Sequence, residues 1–204
     1  MELVWYLLWI RNTTQDLKKE IYLNLLAKLY KKKITFILSG KGSNLLKILE
    51  MNLKKKIFYS HSIITNNTLS SKIKKLIEIK KLDIKVYENI SYLSSKVLEG
   101  TELIFSVGYM KTIDRKIIDK YEIINLHPSL LPSYKGLMTH KRMLINNEKY
   151  FGFSIHKVSP LLDEGEVISQ KSKLIMDRSE LGLINAHKKL EHKYVFNEIF
   201  KYLN

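Results

Sequence analysis

A chain of 204 residues with 45% hydrophobic and 27% charged residues is long enough for one sizeable core and too apolar for disorder. It contains no cysteine, which excludes disulfides and thiolate metal sites. Its formal net charge of +15 comes from 35 Lys+Arg against 20 Asp+Glu, and suits anionic partners.

The basic excess is nearly all lysine, scattered as KKK, KIKK and KKL, with arginine only at positions 11, 115, 142 and 178. Arginine is the better reader of phosphates and bases. The lysines therefore read as solvated surface, which argues against a nucleic-acid role while leaving a field that favours a small anionic substrate. No apolar run reaches the ~20 residues that span a bilayer. The N-terminal MELVWYLLWIRN is short and carries Glu2 where a signal peptide has positive charge. The expectation is a cytoplasmic protein without a membrane segment.

In chain order, Asn12, Thr13 and Thr14 offer caps ahead of Leu17, Ile21, Leu25, Leu26 and Leu29, which share one helical face. Residues 1–33 are thus expected to form an N-terminal helical extension, with a structural role, ahead of a domain over 34–204. ITFILSG is a short buried strand, LLKILEMNL a helix, IFYSHSIITNN a second strand, SSKIKKLIEIKKL a lysine-faced helix and IKVYE a short strand. LSSKVLEG is helix or loop, ELIFSVGY a third, long strand, RKIIDKY a short helix and EIINLHPS a strand entering a loop. FGFSIHKV and EVISQKSKLI read as a hairpin or adjacent strands, and SELGLINAHKKLEHKYVFNEIFKYL as a long closing helix. Apolar strands alternating with helices predict an α/β fold: an open, mostly parallel twisted sheet with helices on both faces.

Two constellations carry chemistry. LSGKGSNLLKIL places Gly40, Gly42, Ser43 and Asn44 between a strand and a helix, where free N–H groups make an anion site. A side chain at Gly42 is expected to obstruct a ligand's approach. A tight strand-to-helix turn capped by serine explains the same residues without any ligand. Neither the Gly-Lys-[ST] ending of a P-loop nor the third glycine of a dinucleotide fingerprint is present.

The second is NLHPSLLPSYKG, which holds two of the chain's three prolines just after an apolar strand. Asn125 and His127 stand at i and i+2, so an extended backbone presents both to one side. Downstream lie His156 and, before Gly165, Asp163. Backbone-satisfying polar residues in a proline-rich loop remain the plain alternative. No G-x-S-x-G elbow is present, and no H-x-x-x-H pair suggests a metal.

In this order and spacing the two constellations resemble the folate-dependent formyltransferases, in particular the branch that acts on glycinamide ribonucleotide. The similarity runs from about Ile34 to about Phe196. The resemblance implies a Rossmann-like fold and transfer of a formyl group from 10-formyltetrahydrofolate to a primary amine in purine biosynthesis, with no metal. It implies Asn125, His127 and Asp163 as catalytic residues, with Asp163 orienting His127 and raising its pKa. By the same resemblance, Gly42, Ser43 and Asn44 hold the substrate phosphate and Glu191 of LEHKY meets the amine. Met110, Lys111, Thr112 and Ile113 border the folate, while His156, Thr139 and His140 play supporting parts.

His127-Pro128-Ser129-Leu130 separates the chain from the formyltetrahydrofolate hydrolases, which usually carry His-His-Ser-Phe. An arginine that holds the folate tail in relatives has no counterpart here. The remaining expectations are a phosphorylated amine and a folate as ligands, and a monomer or homodimer. The competing functions are formyl transfer to an amino-sugar nucleotide and, outside enzymes, nucleic-acid binding on a decayed scaffold.

Overall fold

The computed structural model describes residues 31–203. The helix expected from the apolar stripe Leu17 to Leu29 lies outside the described residues.

The strands are β1 (Lys33–Leu38), β2 (Tyr59–Thr65), β3 (Lys85–Tyr87), β4 (Leu103–Ser106), β5 (Ile123–His127), β6 (Tyr150–Lys157) and β7 (Val167–Leu174). They form one sheet in the order β3-β2-β1-β4-β5-β6-β7. The first five are parallel, and β6 and β7 add as an antiparallel pair. The order turns back between β1 and β4, and open α/β sheets bind ligands outside the carboxyl ends of strands at such a point.

Alternation along the central strands decides which layer each residue joins. Ile34, Phe36 and Leu38 of β1, Phe105 of β4 and Ile124 and Leu126 of β5 belong to one apolar cluster. That layer is covered by α1 (Ser43–Lys55), α2 (Ser71–Ile79) and α5 (Glu180–Leu203). The intervening Ile37, Ile104 and Ile123 belong to the other cluster, under α3 (Arg115–Lys120) and the segment holding Leu93 and Leu98. Strands buried on both faces read as near-continuous apolar runs; β4 is apolar up to Ser106, and β1 is broken by Thr35, whose hydroxyl hydrogen-bonds Ser62 and Thr101.

One expectation needs correction, and one helix is not anticipated by the sequence. ELIFSVGY yields only the four-residue strand Leu103–Ser106. Gly108 has a φ of 78°, so the backbone leaves the sheet and carries Tyr109 and Met110 into the loop at its carboxyl end. THKRMLI, which lacks a cap signal, forms α4 (Thr139–Ile145). Its N-cap is Met138 in the left-handed region at φ 58°, so the helix starts where the proline loop delivers it rather than where a Ser or Asp would cap it.

The loop after β5 is braced by the antiparallel pair. Ser154 of β6 accepts from the Leu131 N–H at 3.0 Å and donates to the Ser129 carbonyl at 2.7 Å. Gln170 of β7 donates to the Leu131 carbonyl and to Ser154 Oγ, each at 2.8 Å. Gly152 allows this closeness: a Cβ there would lie 2.2 Å from the Lys171 carbonyl oxygen and 2.7 Å from a Leu130 methyl. Gly152→Ala is therefore expected to destabilise the fold by about 3 kcal/mol, read as a lowered urea midpoint. An unchanged midpoint would show that β6 and β7 can separate freely at this position.

Candidate active site

Asn125 and His127 end β5, and Asn125 pairs directly with His156 across the β5–β6 ladder. Directly opposed residues point to the same face, which brings the Asn125 amide within 3.1 Å of His156 Nε2. The other nitrogen of that ring, Nδ1, contacts the Lys157 carbonyl at 2.8 Å. In a neutral ring that contact fixes the proton on Nδ1 and leaves Nε2 to accept from Asn125.

Asp163 arrives from the turn between β6 and β7. Its backbone is left-handed at φ 53°, a conformation aspartate tolerates better than most residues. Its carboxylate faces both imidazoles, with Oδ2 at 3.3 Å from His127 Nδ1 and Oδ1 at 3.5 Å from His156 Nε2. Oδ2 also accepts the Gly136 N–H at 2.8 Å. The aspartate thereby links the loop after β5 to the β6–β7 turn. Burial pushes its pKa up, but the contact with His156, the Gly136 N–H and the two imidazoles together hold it below the ordinary value.

His127 is 4% exposed, and its Nε2 contacts the Tyr134 carbonyl at 2.9 Å. Burial is the largest influence on this ring and pushes its pKa down; the Tyr134 carbonyl and Asp163 pull it up without prevailing. The sequence expectation that Asp163 raises the His127 pKa is thus right in the sign of its pull and wrong in the outcome. Sequence reading cannot weigh desolvation against one neighbouring charge.

The glycine-bearing turn follows β1. Gly42 is the N-cap of α1 at φ 68°, and Leu46 N–H bonds its carbonyl at 2.8 Å. The N–H groups of Ser43, Asn44 and Leu45 precede that first helical bond and have no intrahelical acceptor. A Cβ on Gly42 would come within 2.8 Å of both Ile73 and Leu38 side chains. Glycine is required there by packing and by φ, so its substitution tests the fold before it tests a ligand.

The structure joins this turn to the closing helix: Asn44 Nδ2 donates to Glu191 Oε2 at 2.8 Å. Burial raises the Glu191 carboxyl to about 7, against the opposing Asn44 hydrogen bond and Lys188. The Met110 to Ile113 segment sits at the carboxyl end of β4, tied to β1 by Met110 N–H to Ser39 Oγ at 2.7 Å. Met110, Leu137, Leu161 and Leu162 are exposed apolar side chains, the last two on the β6–β7 turn, where Leu162 packs near Gly136. Thr139 is buried and His140 half-buried at the start of α4.

Several positioning residues carry no readable sequence signal. Arg142 Nη2 donates to the carbonyls of Tyr134 and Lys135 at 3.0 and 2.6 Å, holding the loop that His127 leans on. His187 of α5 is 2% exposed and meets His140 at 3.0 Å. A separate open cavity of about 460 Å³, lined by Ser133, Tyr134, Arg142, Ile145, Asn146 and Glu148, contains none of the expected catalytic residues. No group of three or more His, Asp or Glu among the described residues is placed to hold a metal ion.

The family described as formyl transferase matches residues 32–199, most of the chain. The chain belongs to the formyl transferase family. It is 34% identical over 118 residues to phosphoribosylglycinamide formyltransferase of Bacillus subtilis (strain 168), covering 54% of this chain and 60% of that enzyme. It is 29% identical over 154 residues to the trifunctional purine biosynthetic protein adenosine-3 of Gallus gallus, covering 70% of this chain but 15% of that protein. The chain thus spans less than two thirds of these curated relatives. Among solved structures, phosphoribosylglycinamide formyltransferase of Campylobacter jejuni superposes with a TM-score of 0.73 at 26% identity. That superposition covers 86% of this chain and 99% of the other. No helix among the described residues is long and apolar enough to cross a membrane.

With burial dominant, the His127 imidazole is expected to titrate below 6.5 in an NMR pH titration. Asp163→Asn removes the upward pull of the carboxylate and should lower that midpoint further. A midpoint that rises in the variant would reverse the assigned sign.

Proposed function

We propose that the protein transfers a formyl group from 10-formyltetrahydrofolate to the primary amine of glycinamide ribonucleotide, a step of purine biosynthesis. The observation that carries this reading is the convergence of Asn125, His127, His156 and Asp163 at the carboxyl end of β5. The turn Gly42 to Asn44 meets Glu191 in the same molecule and supplies an acceptor side.

The assignment follows from what each group can do. The free N–H groups at the start of α1 suit the substrate phosphate, and Glu191 suits the amine. The exposed Met110, Leu137, Leu161 and Leu162 offer apolar surface to a folate ring, with Lys111, Thr112 and Ile113 completing that border. As the amine nitrogen attacks, the new C–N bond places negative charge on the formyl oxygen. An amide carries two hydrogens, so Asn125 can bond His156 and still donate to that oxyanion. A proton leaving the amine gives His127 its second hydrogen, and the Asp163 carboxylate stabilises the resulting imidazolium. Collapse breaks the bond between the formyl carbon and the folate nitrogen, which takes up a proton. No protein nucleophile is required.

Formyl transfer to an amino-sugar nucleotide is the second reading, because it would use the same Asn125, His127 and Asp163. The half-buried Asn44–Glu191 contact favours the ribonucleotide, since it ties the turn proposed to bind the anion to the carboxylate proposed to meet the amine. Direct assay with 10-formyltetrahydrofolate and each acceptor discriminates them. A clear preference for the amino-sugar nucleotide would displace the proposal.

Two outcomes are expected. Asn125→Ala, His127→Ala and Asp163→Asn should each lower kcat by about 100-fold with the far-UV spectrum unchanged; near-normal rates in all three would refute the mechanism. Inorganic phosphate should compete with the amine substrate, and Asn44→Ala, which keeps its backbone N–H but removes the amide that Glu191 accepts, should raise the amine KM about tenfold. Competition by phosphate against the folate alone would place the anion site elsewhere.

A further inference from the structure

The chemistry above leaves a second polar cluster unused. His187 and Glu191 lie one turn apart on α5, with exposures of 2% and 9%. Side chains at i and i+4 are neighbours on a helix surface. His187 Nδ1 lies 3.0 Å from His140 Nε2, and the two rings meet edge-on with centroids 4.8 Å apart. His187 Nε2 is buried, has no hydrogen-bond partner and stands 3.7 Å from Glu191 Oε1. The Phe151 ring closes one side at 5.5 Å. The groups form a row: Asn44, Glu191, His187, then half-buried His140.

We infer that His187 and His140 form a proton relay for Glu191, taking to solvent the proton that a protonated amine substrate sheds on binding. This rests on the reading that Glu191 meets the amine. An α-amino group has a pKa of about 8 and is mostly ammonium at neutrality, while only the neutral amine has the lone pair that attacks. The N–H bond of the ammonium breaks and an O–H bond forms on Glu191. The carboxyl passes that proton to His187 Nε2 as the Nδ1 proton of His187 moves to His140 Nε2. His140 releases its Nδ1 proton to water. One ammonium becomes one neutral amine and one solvent proton, with no change of oxidation state.

The geometry supplies what the relay needs. An imidazole can accept at one nitrogen while donating from the other, and the unpartnered Nε2 faces the carboxylate. The 3.7 Å gap closes by rotation of the Glu191 carboxyl or through one water. Burial raises Glu191 to about 7, so it exchanges a proton near neutrality. Burial, aided by His140 and His127, lowers His187 to about 3, so the proton passes through that ring without resting there. The groups facing the row are Lys188 of α5, Asn44 of α1, His127 of β5 and, beside His140, Glu180 at the start of α5. His187 and His140 act through Glu191 and are positioning residues.

The test measures kcat/KM for glycinamide ribonucleotide against pH in the full-length protein and in His187→Phe and His140→Gln. At pH 7, where about one amine in ten is already neutral without the relay, each variant should lose about tenfold, with the folate KM unchanged. The loss should vanish above pH ~9, where the amine arrives neutral. A loss of equal size at every pH would mark a structural role and overturn the relay, as would wild-type behaviour at pH 7. Should His187→Phe fail to fold, His140→Gln decides, since its site is only half-buried. Glu191→Gln separates the two readings: an unchanged amine KM and kcat would remove the amine from Glu191. Impaired amine use in that variant, beside unaffected relay variants, would overturn the relay alone.

Discussion

The site depends on one carboxylate placed by an unfavourable backbone. Asp163 holds a left-handed conformation in the turn between β6 and β7, and a non-glycine residue there costs about 1 kcal/mol or more. Its contacts offset that cost. Oδ2 takes the Gly136 N–H and faces His127, while Oδ1 faces His156. The proline loop, the end of β5 and the β6 ladder are therefore held by a single side chain. An aspartate can do this because it offers two acceptor oxygens on a short stem, and a longer glutamate would not reach the same three groups from that turn.

The sheet explains why the carboxylate meets the right partners. The antiparallel addition of β6 beside β5 opposes Asn125 to His156 and His127 to Ser154. One strand pairing thus delivers an imidazole to the face that Asn125 lines and a hydroxyl to the loop that follows. A register slip of one residue would invert both. Gly152 and the Ser154–Gln170 braces hold that register while letting β7 and the loop approach closely. The parallel strands, apolar on both faces, fix the platform and add no chemistry of their own beyond their carboxyl ends.

Much of this was legible in the sequence because it depends on periodicity and adjacency. Short apolar runs between helical patterns predict the sheet, and the i, i+2 spacing of Asn125 and His127 places them together. What was not legible depends on contacts between distant segments. α4 has no cap signal because Met138 reaches its conformation from the loop and not from a local hydrogen bond. Gly42 reads as a ligand-facing glycine, yet its missing Cβ makes room for Leu38 and Ile73. The lowered His127 pKa follows from how deeply the fold buries the ring, which no neighbouring residue in the sequence reports. His187 looks like one more residue of a lysine-rich helix until folding sets it against His140.

The distribution of charge follows the same division between surface and interior. Lysines give the chain its net +15, and Lys41, Lys54 and Lys56 stand exposed near α1. Surface charges separated by more than about 8 Å are strongly screened at physiological salt. They can raise the local concentration of an anion but cannot position it. In the proposed function, positioning the anion falls to the uncharged N–H groups at the start of α1. Burial pushes both carboxyls up; at Asp163 the Gly136 N–H and the facing imidazoles prevail, whereas at Glu191 burial prevails over the Asn44 amide and Lys188 and raises it to about 7. The two acids differ in which influence prevails, and in the proposed function that difference suits one to stabilise a cation and the other to exchange a proton.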